Sequence, residues 1–290
     1  MKRIREYTIF ITLCFFLVSC SGDKQQKDIL KVTAIPDEDA TELIRKAKPL
    51  IEYLENSVNM QVEFIPVSDY SAAVEAIVSR KVDLAWFGGL TFLQAYSRSN
   101  GKVEPLIQRV EDQSFRSVFI TSDANIKELS DLKGKEVMFG SQSSTSGHLM
   151  PRTFLMQEGI IPEQDFKRIA YSGAHDATIA AVGSGKVQAG AMNIKTWRRF
   201  VKEKRVPEGT KVFYTTPTYY NYNWTIHKEV PEELRNKIKE SFLKISSDQE
   251  LGKKILEAQD ASGFLETEKK NYDGLKAAAE NVGLIKSSLN

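Results

Sequence analysis

The residues best suited to chemistry lie together in the run Phe139-Gly140-Ser141-Gln142-Ser143-Ser144-Thr145-Ser146-Gly147-His148, between a short apolar stretch and an apolar helical one. Strand, hydroxyl-rich loop, helix is the arrangement of an anion trap. The first N–H groups of a helix lack intrahelical acceptors and sit at the positive end of its dipole, while Ser and Thr hydroxyls cap the helix or donate to an oxyanion. Gly140 and Gly147 let the backbone come close to a ligand. An ordinary polar loop with a single Ser or Thr cap is the plainer reading, and four hydroxyl side chains in succession, 143–146, weigh against it. Pro151 is tolerated in the first turn of a helix, so this helix either begins close to Pro151 or kinks there.

Other reactive groups are few. His148, His175 and His227 are the only histidines. A hydrolase would set one of them beside Ser144 or Ser146 with Asp176 as orienter. No Gly-x-Ser-x-Gly elbow supports that, because Gly140 and Gly147 lack the spacing. Three histidines without cysteine or close ligand spacing make a poor metal site. No catalytic residue, metal or cofactor is therefore expected, and His175 is read as an anion donor or as a cap on a packed loop. Composition names no partner either. Loss of residues 1–19 removes Lys2, Arg3, Arg5 and Glu6 from 40 basic and 38 acidic residues and leaves a formally neutral chain. Nucleic-acid binding finds no basic excess to support it, so an oxyanion must be held by local donors.

The N-terminus sets the address. Lys2, Arg3 and Arg5 precede an apolar run, 9–18, too short to span a bilayer comfortably, and Leu17-Val18-Ser19-Cys20 closes it. This resembles a bacterial lipoprotein signal, which implies removal of residues 1–19 and lipidation of Cys20, hence an extracytoplasmic protein anchored to a bacterial membrane. Cys14, the only other cysteine, leaves with the signal, so no disulfide or thiol chemistry remains. Residues 20–28, polar after Cys20, read as a flexible tether.

From Ile29 onward short apolar runs alternate with helix-period segments. Strands are predicted at 30–35, 61–67, 84–87, 105–109, 117–121, 136–140, 167–171, 189–193, 212–216 and 222–227. Helices are predicted at 40–56, 70–79, 126–132, 150–158, 174–184 and 196–203, with a helical tail at 231–245, 248–258 and 269–281. This alternation is that of an α/β protein with largely parallel strands. The segment 76–86 echoes 181–191: each reads helix, tight turn with Ser and Lys, short buried strand. Either turn chemistry repeats by propensity, or the chain has two similar lobes. In the second case Phe87-Gly88-Gly89 and Asn193-Ile194-Lys195 lie at carboxyl ends of strands, where open α/β sheets bind ligands. Gly88 and Gly89 suggest close backbone approach, and Trp86 and Phe87 read first as strand core. Tyr214, Tyr219, Tyr220, Tyr222 and Trp224 surround the last predicted strand of this series. Packing between lobes and pocket lining stand equal for them, with Tyr220 chosen for the pocket.

Taken in order, Asp69-Tyr70, Val82–Gly88, Ser143–His148 and Tyr171–Val182 resemble the phosphate/phosphite/phosphonate substrate-binding family of ABC importers, across about residues 30 to 245. The resemblance implies a periplasmic-binding-protein fold of two α/β lobes, each a mixed, mostly parallel sheet flanked by helices and joined by crossing strands. Lobe 1 is expected at 29–118 and 222–290, and lobe 2 at 119–221. It further implies an ABC permease as partner, a monomer, and closure of the lobes on a small oxyanion. Ser144, Thr145 and Ser146 fall on the family's anion-holding Ser-Thr-Ser, Tyr70 on its pocket tyrosine and His175 on its cleft histidine.

Two departures matter. Phe115 and Arg116 stand where aminoalkylphosphonate binders have a tyrosine, losing a hydroxyl and adding a guanidinium able to grip an anion. Around Asn193 and Tyr220, where those relatives place carboxylates for a substrate amine, none is found. Phosphate, phosphite, methylphosphonate or a selenium oxyanion is therefore expected in preference to an amine-bearing ligand. A ligand sensor docking a membrane receptor kinase is the alternative.

Overall fold

The computed structural model describes residues 29–286, so the signal, Cys20 and the tether lie outside the described residues. The first sheet has the order β11-β4-β10-β3-β1-β2. Its strands are β1 (Ile29–Ala34), β2 (Gln61–Phe64), β3 (Leu84–Phe87), β4 (Val103–Arg109), β10 (Asn223–His227) and β11 (Phe264–Glu266). The second has the order β7-β6-β8-β5-β9, from β5 (Ser117–Thr121), β6 (Glu136–Phe139), β7 (Arg168–Tyr171), β8 (Ala189–Asn193) and β9 (Lys211–Thr215). Each is a mixed sheet at the heart of one lobe. Parallel pairing is confined to β2-β1-β3 and to β7-β6-β8, while β10 runs antiparallel between β3 and β4 and β5 antiparallel between β8 and β9.

Leaving β11 aside, the two orders superimpose strand for strand, with β10 in lobe 1 and β5 in lobe 2 each the strand inserted by the other crossing. The echoed sequence segments take equivalent places in this scheme. Residues 76–86 carry the end of α2 (Tyr70–Val78) into β3, and 181–191 carry the end of α6 (His175–Gly183) into β8. The repeat is architectural: each unit ends with a strand whose carboxyl end faces the cleft.

The crossings themselves are tied together. Phe115 and Tyr219 exchange backbone hydrogen bonds of 2.9 and 3.0 Å, the Ser117 amide donates to Thr216 Oγ1 at 2.9 Å, and the Asn221 amide donates to the Asp112 carbonyl at 3.0 Å. Packing follows the period of two along β5. Val118 and Ile120 join Met138, Val182 and Phe200 on one face of the second sheet, and Phe119 joins Phe139 and Leu155 on the other. The first sheet shares its core with the helical tail, α8 (Glu232–Leu243), α9 (Glu250–Gln259) and α10 (Asp273–Asn281), through Phe92, Trp224, Phe242 and Tyr272.

Two helices were not anticipated, α3 (Gly89–Arg98) and the single turn α5 (Pro162–Asp165), and β11 was read as part of no element. Gly88 and Gly89 disguise the start of α3, since glycine disfavours helix. Gly89 lets α3 sit close to α10: a Cβ there would lie 2.3 Å from Leu275 Cδ1, which would have to move. Among the described residues no helix is long and apolar enough to cross a membrane.

Candidate functional site

The hydroxyl loop leaves β6 and returns as a π turn, Thr145–Leu149, that runs into α4 (Met150–Gln157). Pro151 is the second residue of α4, where its missing N–H costs nothing, so the helix begins there without a kink. Ser144 caps the turn, its Oγ accepting from the Gly147 amide at 2.9 Å. The Gly140 amide donates to the Gly147 carbonyl at 2.8 Å, and a Cβ on Gly140 would meet Gly147 Cα at 3.3 Å, so the loop closes on itself only with glycine at this crossing. His148 supplies the second brace. Its Nδ1 is 2.7 Å from the Gln142 carbonyl and therefore carries the proton, leaving Nε2 to accept from Arg152 Nε at 3.0 Å. Burial holds His148 down to about 4, so the ring stays neutral in this role. Thr145 and Ser146 lie in the first turn, where helix N–H groups have no acceptor within the helix.

The other walls come from both lobes. Thr145 Oγ1 accepts from the Leu90 amide at the start of α3, at 2.9 Å, so a lobe 2 side chain caps a lobe 1 helix. Tyr70, the first residue of α2, has its hydroxyl beside Ser144, and Tyr222 its hydroxyl beside Ser146. Tyr222 stacks on Trp86 with centroids 5.2 Å apart and 4° between planes, and its OH donates to Asp37 Oδ2 while accepting from Asn193 Nδ2, each at 3.1 Å. Asn193 also caps α7 (Ile194–Lys202), its Oδ1 accepting from the Thr196 amide at 2.8 Å. The His175 amide donates to the Asp37 carbonyl at 2.9 Å, a second bond between lobes. The side chain of His175 is 1% exposed, and among the described residues neither ring nitrogen has a hydrogen-bond partner. Its Cε1 lies 3.2 Å from where a Gly147 Cβ would be, directly behind the hydroxyl loop. Burial lowers its pKa to about 4, giving a neutral ring with one donor and one acceptor, both idle.

The structure thus buries Tyr70, Gly88, Ser144, Thr145, Ser146, His175 and Asn193 close together where the two lobes meet. Phe115 stands behind it, edge-on to the Tyr222 ring at 5.4 Å, and Phe87 is wholly buried in β3 as core. Arg116 is not part of the cleft: it is exposed, donates through Nη1 to the Thr216 carbonyl at 2.6 Å and lines an outer groove with Arg198 and Lys202. Tyr220 packs edge-on to Tyr272, and Tyr222 takes the place expected of it.

Sequence reasoning missed Asp37, and within the aromatic cluster it chose Tyr220 over Tyr222. The expected lack of a carboxylate around Asn193 and Tyr220 does not hold in space, because the loop after β1 delivers Asp37 and Glu38 to a cavity of about 80 Å³ lined also by Trp86, Arg109, Asn193 and Arg199. Glu38 is engaged by Lys46 and Arg199, and Arg109 by Asp112 in a bidentate pair of 2.7 and 2.9 Å. Asp37 has the Tyr222 hydroxyl. The signal available was position alone: Ile35-Pro36-Asp37 sits just past the carboxyl end of a central parallel strand.

Residues 32–272 match the model of a family described as ABC transporter, phosphonate, periplasmic substrate-binding protein. The chain is 33% identical over 299 residues to the probable ABC transporter phosphite binding protein PhnD1 of Prochlorococcus marinus (strain MIT 9301), covering 99% of this chain and all of that protein. The solved structure of PhnD1 in complex with methylphosphonate superimposes with a TM-score of 0.84 at 34% identity, over 89% of this chain and 99% of that one. The phosphonates-binding periplasmic protein of Escherichia coli (strain K12) is 26% identical over 246 residues, covering 82% of this chain and 72% of that protein.

Proposed function

Because this chain belongs to the phosphonate periplasmic substrate-binding family of ABC transporters, and is a binding component and not an enzyme, we propose that it captures a phosphorus oxyanion with no more than a small substituent, phosphite or methylphosphonate before phosphate. The observation that carries this reading is the buried His175 ring, whose two nitrogens have no hydrogen-bond partner among the described residues and whose Cε1 lies against Gly147 of the hydroxyl loop. Leaving a buried polar group unpaired costs roughly 1–3 kcal/mol. A guest oxygen that accepts from the ring's N–H relieves the donor's share of that cost, and a tetrahedral oxyanion supplies several such acceptors without filling much space. The relatives named for phosphite and crystallised with methylphosphonate support the same class.

Arg116 has no part in this grip, and hydroxyls, amides and the imidazole share the work. Binding is coupled to closure, since Thr145 meets Leu90 and His175 meets Asp37 only when the lobes are together. Delivery to the permease follows from the closed form. We further propose that Cys20 carries lipid, which keeps the shuttle near its permease and raises effective concentration. Mass spectrometry of the membrane-extracted protein checks the lipid, and Cys20→Ala is expected to release the protein from the membrane.

Calorimetry on protein unfolded and refolded to strip bound ligand, against phosphite, methylphosphonate, phosphate, sulfate, selenite and aminoethylphosphonate, tests the ligand class. Saturable binding of phosphite or methylphosphonate, weakened at least tenfold in His175→Ala, is expected. Indifference to every phosphorus oxyanion overturns the proposal.

A further inference from the structure

Every polar group so far assigned to the guest is a donor or can act as one: the Ser144, Thr145, Ser146 and Tyr70 hydroxyls, the helix-start amides and the imidazole. Asp37 is the exception. Its carboxylate shares the Tyr222 hydroxyl with the cluster through Oδ2 and lines the adjoining cavity. The carboxyl is fixed by the chain around it. The Asp37 amide donates to the Ile35 carbonyl at 2.9 Å, its carbonyl accepts from His175, and Tyr222 is itself held by Asn193 and the Trp86 stack. Among the described residues it makes no ion pair within 4 Å. The cations that face it are committed elsewhere, Arg109 of β4 to Asp112 and Arg199 of α7 to Glu38, and Lys46 of α1 (Ala40–Val58) also pairs with Glu38. The other groups facing it are Glu38 beside it in the chain, Tyr70 of α2, Tyr222 before β10 and the neutral His175 of α6.

An unneutralised carboxylate beside an anion site repels a fully ionised guest and welcomes one that still carries an O–H. We propose that Asp37 is a specificity-determining residue that reads the protonation state of the guest, its carboxylate accepting the hydroxyl proton of a singly protonated phosphorus oxyanion and thereby rejecting sulfate and selenate, which have no such proton at neutral pH. The inference rests on the oxyanion reading given above. One proton is shared between ligand oxygen and Asp37 in the complex, and no bond to phosphorus is made or broken. Burial, reinforced by the Glu38 charge and opposed by the Tyr222 hydrogen bond and the more distant Arg109 and Arg199, lifts the Asp37 carboxyl to about 7. Phosphoryl oxyanions with one substituent on phosphorus lose their last proton in the same range, about 6 for a phosphate monoester. Near neutrality ligand and carboxyl are therefore matched to share a proton.

The experiment is calorimetry of methylphosphonate binding at about pH 8.5, above both of those ionisations, in buffers of contrasting ionisation heat. The wild-type protein is expected to take up about one proton per ligand bound, and its affinity to fall about tenfold per pH unit above this point. Asp37→Asn is expected to take up none, to lose that slope, and to gain at least tenfold in affinity for sulfate relative to methylphosphonate. Methylphosphonate binding without proton uptake by the wild type overturns the role of Asp37 and leaves the oxyanion site standing, whether or not the variant folds. Equal proton uptake in Asp37→Asn also overturns it. Failure of the wild type to bind any phosphorus oxyanion removes both readings together.

Discussion

Thr145 has two tasks that a single hydroxyl can perform together. Its oxygen caps the Leu90 amide of the opposite lobe at 2.9 Å, and its hydrogen is then free for an anion. Thr145→Val keeps the shape, strips the donor and strands the Leu90 amide, so binding of the phosphorus oxyanion is expected to weaken by about 1–3 kcal/mol. Thr145→Ser is expected to restore most of it. Calorimetry on both variants decides, and an unchanged Kd in Thr145→Val places the guest elsewhere. At this scale the sequence was informative where chemistry clusters locally. Ser144, Thr145 and Ser146 stand in succession at a helix start, and Tyr70 and His175 each open a helix after a strand. It was silent on Asp37 and could not tell Tyr222 from Tyr220 within one aromatic cluster, because Asp37 and Tyr222 are joined by a hydrogen bond across 185 positions and belong to no local pattern. Arg116 shows the converse error: a guanidinium beside a recognisable motif had a backbone carbonyl, Thr216, within reach on the outside.

Element placement was legible wherever hydrophobic period and length agreed, as for the wholly buried strands β3 and β8. It failed where an element begins with glycine. α3 is the instructive case, because of the two glycines that hide it Gly88 lets its N-terminus meet the other lobe and Gly89 seats it against α10. Gly88 has φ −75°, a conformation open to any residue, yet a Cβ there would lie 2.9 Å from Thr145 Oγ1. Gly88→Ala is therefore expected to leave the unliganded protein as stable as before and to obstruct closure. Paired melting curves with and without methylphosphonate should show the ligand-induced rise in Tm shrinking while the apo Tm stays put; an equal drop in both would mean that Gly88 matters for folding instead. The hydroxyl loop depends on its brace in a similar way. His148→Phe keeps the aromatic bulk against Phe139 and Tyr171 but abandons the Gln142 carbonyl and Arg152. A loss of about 1–3 kcal/mol in stability is expected from those unpaired buried groups, with weaker ligand binding as the loop loosens. Urea denaturation and calorimetry on the same variant check the two effects separately.

At the scale of the molecule, the site's polarity leaves a mark on stability that no single element shows. His148 and His175 are pressed from 6.5 to about 4 by burial, so between those values the unfolded chain binds two protons that the folded chain refuses. Stability then rises with pH across the window, by linkage. Asp37 acts in the opposite sense: raised from 3.8 to about 7, it binds in the folded state a proton that the unfolded chain releases, a contribution full at low pH and lost as pH climbs through about 7. The net is about one proton in favour of the unfolded chain, and His227, also lowered by burial, adds to it. Unfolding free energy is expected to increase by about 1.4 kcal/mol per pH unit from roughly pH 4.5 to 6. Asp37→Asn removes the opposing term, so its slope should approach twice that value. Urea unfolding at half-unit intervals measures both lines, and a slope near zero in the wild type would mean that the histidines charge freely in the folded protein. His175 and Asp37 belong to the proposed anion site and His148 braces its loop, so a ligand that hydrogen-bonds His175 and shares a proton with Asp37 must alter this profile, whereas a molecule bound anywhere else on the surface leaves its shape unchanged.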